Sequence, residues 1–384
     1  MKNVAVIGAG ATQFGELWNK GLRDLLAESQ LKALDDARIN PKDIDMIFTG
    51  NMCSGEFAGQ QHIGAMAADI LNLKVPSAKV EGACASGGLA FRAGLQAIKS
   101  GEAEVVLVNG AEKMTDVLTR QATTGLMGAG DEMWEGFSGA TFCGLYAMVA
   151  RAYMHQFGLT REQLAMVAVK NHKHGSLNPI AQFKKEITVD QVINSSMIAD
   201  PLTLLDCSPI TDGSASVILA SEEYAKKFSD TPIWIKGSAQ ASDTLALHSR
   251  ESLTDIPATR IAAQKALQQA GLTPHDIDVT EIHDCFTIAE IMAMEGLGLV
   301  ERGKAGKLIE EGQTYYDGKI PVNPCGGLKA CGHPVGATGV KQIMEIVHQL
   351  RGDAGKRQVD GATVGLSHNV GGTGATVVVN VFSR

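Results

Sequence analysis

The chain repeats itself. The segment ALDDARINPKDIDMIFTG (33–50) returns as ALQQAGLTPHDIDVTEIH (266–283), an offset of 233 residues from Ala33 to Ala266. Each copy reads as the end of an amphipathic helix, a turn carrying Pro41 or Pro274, and an Asp-Ile-Asp step into a strand. The helices leading into the two copies are predicted at 23–38 and 258–270. A period this long marks a duplicated domain rather than a solenoid unit, so the two halves must adopt one fold twice. The correspondence runs on. KVEGACASGGLAFRAGLQAIKSG (79–101) and NPCGGLKACGHPVGATGVKQIMEIV (323–347) each set a glycine-rich turn before a helix. With Gly87 opposite Gly336, Cys84 falls opposite His333. Each half then closes on an apolar strand, at 104–110 and at 362–367. This alternation predicts an α/β fold in which each half is a mostly parallel or mixed sheet covered by helices. Two such halves packed together bring equivalent loops to one crevice, the usual place for a ligand.

The repeat also exposes what does not repeat. Residues 120–205 have no counterpart and are predicted to form an inserted loop or lid domain. The first half is expected at 1–119, completed by 206–230, and the second at 231–384. Within the insertion, helices are predicted at 141–157 and 160–172. The second opens with Thr160 as N-cap and Gln163 three residues on, a capping box. DGSASVILASEEYA (212–225) reads as the last strand of the first half and the start of a helix.

Composition removes several classes of function. The 384 residues are 45% hydrophobic and 20% charged, ordinary for a soluble chain of two or more domains. A net charge of −8 with no basic stripe argues against nucleic-acid binding. No apolar run is long enough to span a bilayer, so no membrane association is expected. The amino-terminal strand is too short and too soon polar for a signal peptide. Seven scattered cysteines with no Cys-x-x-Cys pair argue against a disulfide framework or a zinc ribbon, and no metal is expected. A reducing, cytoplasmic setting follows. His172 and His174, in NHKHG, read as surface or loop residues. The opening VAVIGAGATQFG resembles a dinucleotide loop but has Gln13 where a third glycine is needed. Gly8 and Gly10 are expected instead to let the chain leave a buried strand.

Three clusters carry reactive side chains. In GACASGG (82–88), Cys84 stands just ahead of a helix, where the N-terminal dipole favours a thiolate. In GHPVG (332–336), Pro334 suits a first helical position and leaves His333 just outside the helix. At 283–286, His283, Asp284, Cys285 and Phe286 stand at the tip of a strand. Each has an ordinary structural reading: a packed cysteine, a turn histidine, a small buried hydrophobe. The repeat makes them converge. A cysteine paired with a histidine suits covalent catalysis through an activated thiolate. A second cysteine is superfluous for acyl hydrolysis but suits a reaction that also removes a proton from carbon.

GACASGG, DGSASVILASE, HDCF, NPCGGLKACGHPVGATG and HNVGGTG together resemble the thiolase superfamily over nearly the whole chain. The resemblance implies duplicated βαβαβαββ halves in five layers, α-β-α-β-α, with a loop domain inserted in the first. It implies an acyltransferase that joins two acetyl-CoA molecules into acetoacetyl-CoA and CoA by Claisen condensation, or runs the reverse thiolysis. Cys84 is then the nucleophile and His333 its base. Familiar thiolases carry Asn-Glu-Ala-Phe where this chain has His283-Asp284-Cys285-Phe286. They also carry a cysteine in the C-terminal loop where His368 stands. The departure is similar to the sterol-carrier-protein-2 type and to archaeal acetyl-CoA acetyltransferases. It makes Cys285 the second acid/base and His283 an oxyanion-hole donor, with Asp284 orienting or structural. The backbone N–H of Cys84 and one from the 368–372 loop, with His368, Val370 and Gly371 as its residues, would hold the tetrahedral intermediate.

The same resemblance offers Ser238 for the pantetheine arm and Lys184 and Lys185 for coenzyme A, although the two lysines read equally as a solvated basic pair. It implies no permanently bound cofactor, coenzyme A thioesters as substrates, and a homodimer or homotetramer. It further suggests a complex with an HMG-CoA synthase and a zinc-ribbon OB-fold protein in mevalonate synthesis. The chain ends straight after its last strand, so no fused sterol-carrier domain is expected. The alternatives are a longer-chain 3-ketoacyl-CoA thiolase, and a catalytically weak thiolase-like partner in that complex. Ketoacyl synthases and HMG-CoA synthases share the stacked double domain but lack a second reactive cysteine together with the Gly-His-Pro run.

Overall fold

A computed structural model describes residues 2–384. Nine strands form its main sheet: β1 (Val4–Ala11), β2 (Met46–Gly50), β3 (Ser77–Val80), β4 (Val105–Glu112), β5 (Gly213–Ser221), β6 (Ile233–Ser242), β7 (Val279–Glu281), β8 (Val364–Gly371) and β9 (Thr376–Ser383). Their order is β3-β2-β4-β5-β1-β6-β9-β8-β7. The duplication is visible in that order. Read outward from the centre, β1, β5, β4 and β2 of the first half match β6, β9, β8 and β7 of the second. The counterpart of β3 has shrunk to a single parallel bridge between Thr280 and Val322. The halves join edge to edge through the antiparallel pairs Ala5–Trp234 and Val6–Ile233.

The repeated Asp-Ile-Asp steps do the same work twice. Asp45 accepts from the backbone N–H groups of Glu104 and Val105, both at 2.9 Å, and so pins the start of β4 beside β2. Asp278 accepts from Thr363 N–H at 2.8 Å and Val364 N–H at 2.9 Å, pinning β8 beside β7. These acids fix strand register at the end far from the reactive tips, so the tips arrive in matching positions.

Seven longer helices cover and fill this sheet: α1 (Leu22–Ala37), α2 (Ser86–Ser100), α3 (Phe142–Phe157), α4 (Arg161–Ser176), α5 (Pro257–Ala270), α6 (Thr287–Gly296) and α7 (Thr338–Arg351). Helix α1 buries Leu22, Leu25, Leu26, Ala33, Leu34 and Ala37, a helical stripe that packs on β1 and β5. Helix α5 packs equivalently on β6 and β9. Helices α2 and α7 pack on each other, and each touches strands of both halves, so they form the middle layer of the five. Helix α7 is buried almost all round, including Lys341, Gln342 and Glu345.

Between β4 and β5 the chain leaves the main sheet and carries α3, α4 and a small hairpin of Met197–Ala199 with Leu202–Thr203. The expected capping box is present: Thr160 Oγ1 accepts from Gln163 N–H at 3.1 Å, and Gln163 Oε1 accepts from Thr160 N–H at 3.2 Å. Two expectations fail here. Gly8 and Gly10 lie inside β1 rather than past its end. A side chain at either would strike the backbone of α1, so they set how closely helix and sheet approach. His172 and His174 are not surface residues; both are buried on α4. His174 Nδ1 meets the Asn323 carbonyl at 2.9 Å and its Nε2 accepts from Tyr316 N–H at 3.2 Å, tying the insertion to the second half. No helix among the described residues is long and apolar enough to cross a membrane.

Candidate active site

Glycine brings the two reactive loops together. A Cβ on Gly87, in the first turn of α2, would lie 2.8 Å from the Gly336 carbonyl oxygen ahead of α7. A Cβ on Gly336 would lie 2.6 Å from the Ala111 carbonyl and 2.7 Å from Asn51 Cα. The repeated glycines therefore meet across the pseudo-twofold relation of the halves, and side chains there would hold the loops apart. Pro334 does not begin α7 as expected. Its carbonyl accepts from Ala337 and Thr338 N–H at 2.9 and 3.0 Å in a turn, and the helix starts at Thr338. The turn is needed because Gly336 is wedged against the first half.

Cys84 sits in a one-turn 3₁₀ segment, Ala83–Ala85, that feeds α2. Ala83 adopts φ 54°, a left-handed conformation unusual for alanine. Ser86 holds it: its hydroxyl donates to the Ala83 carbonyl at 2.6 Å and accepts from Gly82 N–H at 3.0 Å. The Cys84 sulfur faces two backbone N–H groups, that of Gly372 and its own. Burial nevertheless pushes the thiol up to about 12, and Glu112 adds to this, so the resting residue is a neutral thiol.

His333 is tuned as its partner. Its Nδ1 lies 2.7 Å from Thr338 Oγ1, whose own proton goes to the Pro334 carbonyl at 3.1 Å. Nδ1 must therefore carry the hydrogen, which leaves Nε2 as a free acceptor. Burial, with Lys341 behind it, lowers His333 to about 3 and keeps the ring neutral.

His283 takes the opposite tautomer. Asn369 Nδ2 donates to its Nδ1 at 3.3 Å, so the proton lies on Nε2, which is buried and has no partner. Asn369 also donates to the Cys84 carbonyl at 3.0 Å and accepts from Gly88 N–H at 3.1 Å. One amide thus locks the nucleophile's turn to the ring of His283. The His283 and His333 rings meet edge to face at 5.0 Å. The Cys84 sulfur and one nitrogen of each ring lie within 4.8 Å of one another. The site thus offers one free base, one free donor and one thiol at a single point.

Cys285 lines the same cavity, which encloses about 340 Å³ between apolar walls that include Phe142, Leu126 and Val335. Its thiol is held neutral by burial first and then by Cys84, with the Tyr146 hydroxyl beside it acting the other way. Tyr146 stacks on Phe286 at 4.6 Å and donates to the Gly372 carbonyl at 3.1 Å. Asp284 points away: it accepts from Leu328 and Lys329 N–H at 2.6 and 3.2 Å and caps the short helix Gly327–Cys331.

The remaining sequence candidates scatter. In the C-terminal loop, Gly372 faces the thiol; His368, Val370 and Gly371 are strand residues of β8. His368 Nε2 meets Thr259 Oγ1 at 3.0 Å and its Nδ1 accepts from His283 N–H at 3.4 Å, so the ring supports the loop from behind. Ser238 is outside the cavity. Its hydroxyl donates to Asn380 Oδ1 at 2.6 Å and accepts from Arg92 at 3.1 Å inside the sheet. Lys184 and Lys185 are exposed and do not line the cavity, which fits the solvated pair. Asn369, Thr338 and Tyr146 escaped the sequence reading, since nothing local distinguishes them from packing residues, and Gly372 was reached only as part of the 368–372 loop.

Comparisons with known proteins identify the family. Residues 4–223 match the family model described as thiolase, N-terminal domain, and residues 239–384 match the one described as thiolase C-terminal domain-like. The chain is 54% identical over 385 residues to the acetyl-CoA acetyltransferase of Methanothermobacter thermautotrophicus, covering 100% of both. It is 35% identical over 415 residues to sterol carrier protein 2 of Oryctolagus cuniculus, covering 98% of this chain and 71% of that one. Among solved structures it resembles the Ltp2-ChsH2(DUF35) aldolase, with a TM-score of 0.86 and 28% identity over 98% of this chain and 97% of that one.

Proposed function

The chain belongs to the thiolase family, and from that premise we propose that it is an acetyl-CoA C-acetyltransferase working through an acetyl-Cys84 intermediate. The observation that carries the residue roles is the meeting of Cys84, His283 and His333 within 4.8 Å, with Cys84 and His333 lining the cavity that Cys285 also lines. His333 Nε2 takes the Cys84 proton as the sulfur attacks the thioester carbonyl of one acetyl-CoA. The N–H groups of Cys84 and Gly372 face the developing oxyanion. The departing CoA thiolate takes its proton from Cys285, which is left as the thiolate, while His333 Nε2 keeps the Cys84 proton. A second acetyl-CoA then enters, and Cys285, as thiolate, removes its α-proton. The Nε2–H of His283 holds the enolate oxygen. The carbanion attacks acetyl-Cys84, and the tetrahedral intermediate collapses to acetoacetyl-CoA and the Cys84 thiolate. Proton return from His333 Nε2 to Cys84 resets the site with Cys285 again a thiol, and the reverse sequence is thiolysis. The substrates are coenzyme A thioesters and the chemistry draws on no resident cofactor.

The neutral resting pair matters. With Cys84 at about 12 and His333 at about 3, a stable thiolate–imidazolium pair is disfavoured. Proton transfer is therefore coupled to attack on bound thioester, which keeps the nucleophile inert between turnovers.

The finer reading is a cytoplasmic homodimer or homotetramer that hands acetoacetyl-CoA to an HMG-CoA synthase with a zinc-ribbon OB-fold protein, for mevalonate synthesis. The similar Ltp2-ChsH2(DUF35) aldolase and the exposed apolar side chains of Leu118, Met133, Trp134 and Phe137 support an assembly of this kind. Light scattering of the protein alone and mixed with those partners tests it. The activity is tested by following loss of acetoacetyl-CoA with CoA. Cys84→Ala should be inactive. Cys285→Ala should lose turnover yet still acquire an acetyl group on Cys84 by intact mass. Full activity of Cys285→Ala would remove Cys285 from the mechanism.

A further inference from the structure

Two cysteines that the mechanism does not use share the cavity wall with Cys84 and Cys285. Cys143 lies in the first turn of α3, and Cys207 follows the 3₁₀ turn Leu204–Asp206. Both are partly exposed free thiols lining the cavity, and they are in hydrogen-bond contact with each other. Each is tied to the second acid/base. Tyr146, one turn along α3 from Cys143, sets its hydroxyl beside Cys285. Cys207 bridges to Phe286, and the next N–H, of Ser208, donates to the Cys285 carbonyl at 2.9 Å.

We propose that Cys143 and Cys207 are a covalent modification site, a dithiol that CoA disulfide converts to an intramolecular disulfide across the cavity wall. The Cys143 thiolate attacks one sulfur of CoA disulfide, forming a Cys143–CoA mixed disulfide and expelling one CoA thiolate. Cys207, giving its proton to solvent, then attacks the Cys143 sulfur. The Cys143–Cys207 bond forms and the second CoA leaves as thiolate. Two protein thiols are oxidised and one disulfide is reduced to two CoA thiols, so the electrons balance. The order of attack follows from the environments. Contact with Cys207 lowers Cys143 from the ordinary thiol range, while that same contact, with burial, raises Cys207. The choice of oxidant rests on the thiolase reading, because a cavity that admits the CoA thiol to Cys84 admits it past these residues. The bond would pin α3 to the 204–210 segment, and both of these touch Cys285 and its neighbours.

The test treats the Cys84→Ala protein, free of the competing nucleophile, and wild type with CoA disulfide or with diamide, then maps disulfides by mass spectrometry under non-reducing conditions. A 143–207 linked peptide is expected from both reagents in both proteins. Cys207→Ser should stop with CoA retained on Cys143, and Cys143→Ser should take up no CoA at Cys207. Thiolysis by oxidised wild type should fall about tenfold or more and return with dithiothreitol, a misplacement effect of the size small shifts produce. A CoA adduct on Cys143 in wild type with no linked peptide, or linkage only between other cysteines, overturns the proposal. Linkage by diamide with none by CoA disulfide also overturns it. In that case thiolysis by the reduced preparation shows whether the thiolase reading itself survives.

Discussion

The tips of β2 and β7 occupy equivalent positions in the two halves and have opposite characters. By the repeat, Gly50, Asn51 and Met52 correspond to His283, Asp284 and Cys285. At Gly50 a Cβ would lie 2.6 Å from the backbone of Ser86 and Gly87, so no side chain fits where His283 stands. Asn51 donates to Glu112 and to the Ala111 carbonyl, each at 2.9 Å, and Met52 N–H donates to Glu112 at 2.9 Å. Glu112 reaches on to Gly336 N–H at 3.1 Å. The first tip is thus a buttress for the second half's histidine loop. The second tip turns its own groups toward the first half's cysteine. Duplication supplied two equal scaffolds, and each now serves the opposite loop, one mechanically and one chemically.

His283→Ala strikes the chemical tip hardest. Turnover should fall about 10²- to 10³-fold, as for loss of one oxyanion donor. Acetylation of Cys84 by acetyl-CoA, followed by mass, should persist; loss of both would deny the two tips their separate roles. Gly87→Ala attacks the contact that both tips serve. We expect turnover about 10²-fold lower, with about 1–3 kcal/mol lost in urea unfolding through overpacking. Unchanged activity would mean that the glycine contact does not set the spacing of the loops. The resting protonation gives a third measurement. A thiol at about 12 is neutral across the accessible range, so Cys84 alkylation by iodoacetamide should rise about tenfold per pH unit from pH 7 to 9. A plateau near pH 7 would reveal a preformed thiolate. The smallest effect belongs to the mechanical tip. Met52→Leu keeps volume, so stability should change by under about 1.5 kcal/mol and thiolysis by no more than about twofold. A large kinetic loss there would blur the distinction between the tips.

Much of this was legible in the chain because duplication writes the same local chemistry twice. The Asp-Ile-Asp steps, the capped helices, the opposition of Cys84 to His333 and the glycine-rich turns all rest on short-range patterns. Other features depend on distant segments. Asn369 gains meaning only beside Cys84 and Gly88, far away in the chain. Tyr146 looks like any helical aromatic until α3 meets the loop at 285. Ser238 lies outside the cavity because its alternation along β6 turns it to Asn380. His172 and His174 were misread because polar neighbours in NHKHG suggested solvent, whereas α4 buries that face against the second half.

The meeting of Gly87 with Gly336 also governs the timing of biosynthesis. About 250 residues separate Cys84 from His333. At translation rates of roughly 5–20 residues per second, the cysteine leaves the ribosome on the order of ten seconds or more before its base is made. Throughout that interval the nascent chain carries an ordinary thiol. The reactive pair comes into being only when α7 docks against α2, so completing the fold is what gives the nucleophile its base and, at the same time, quiets the free thiol.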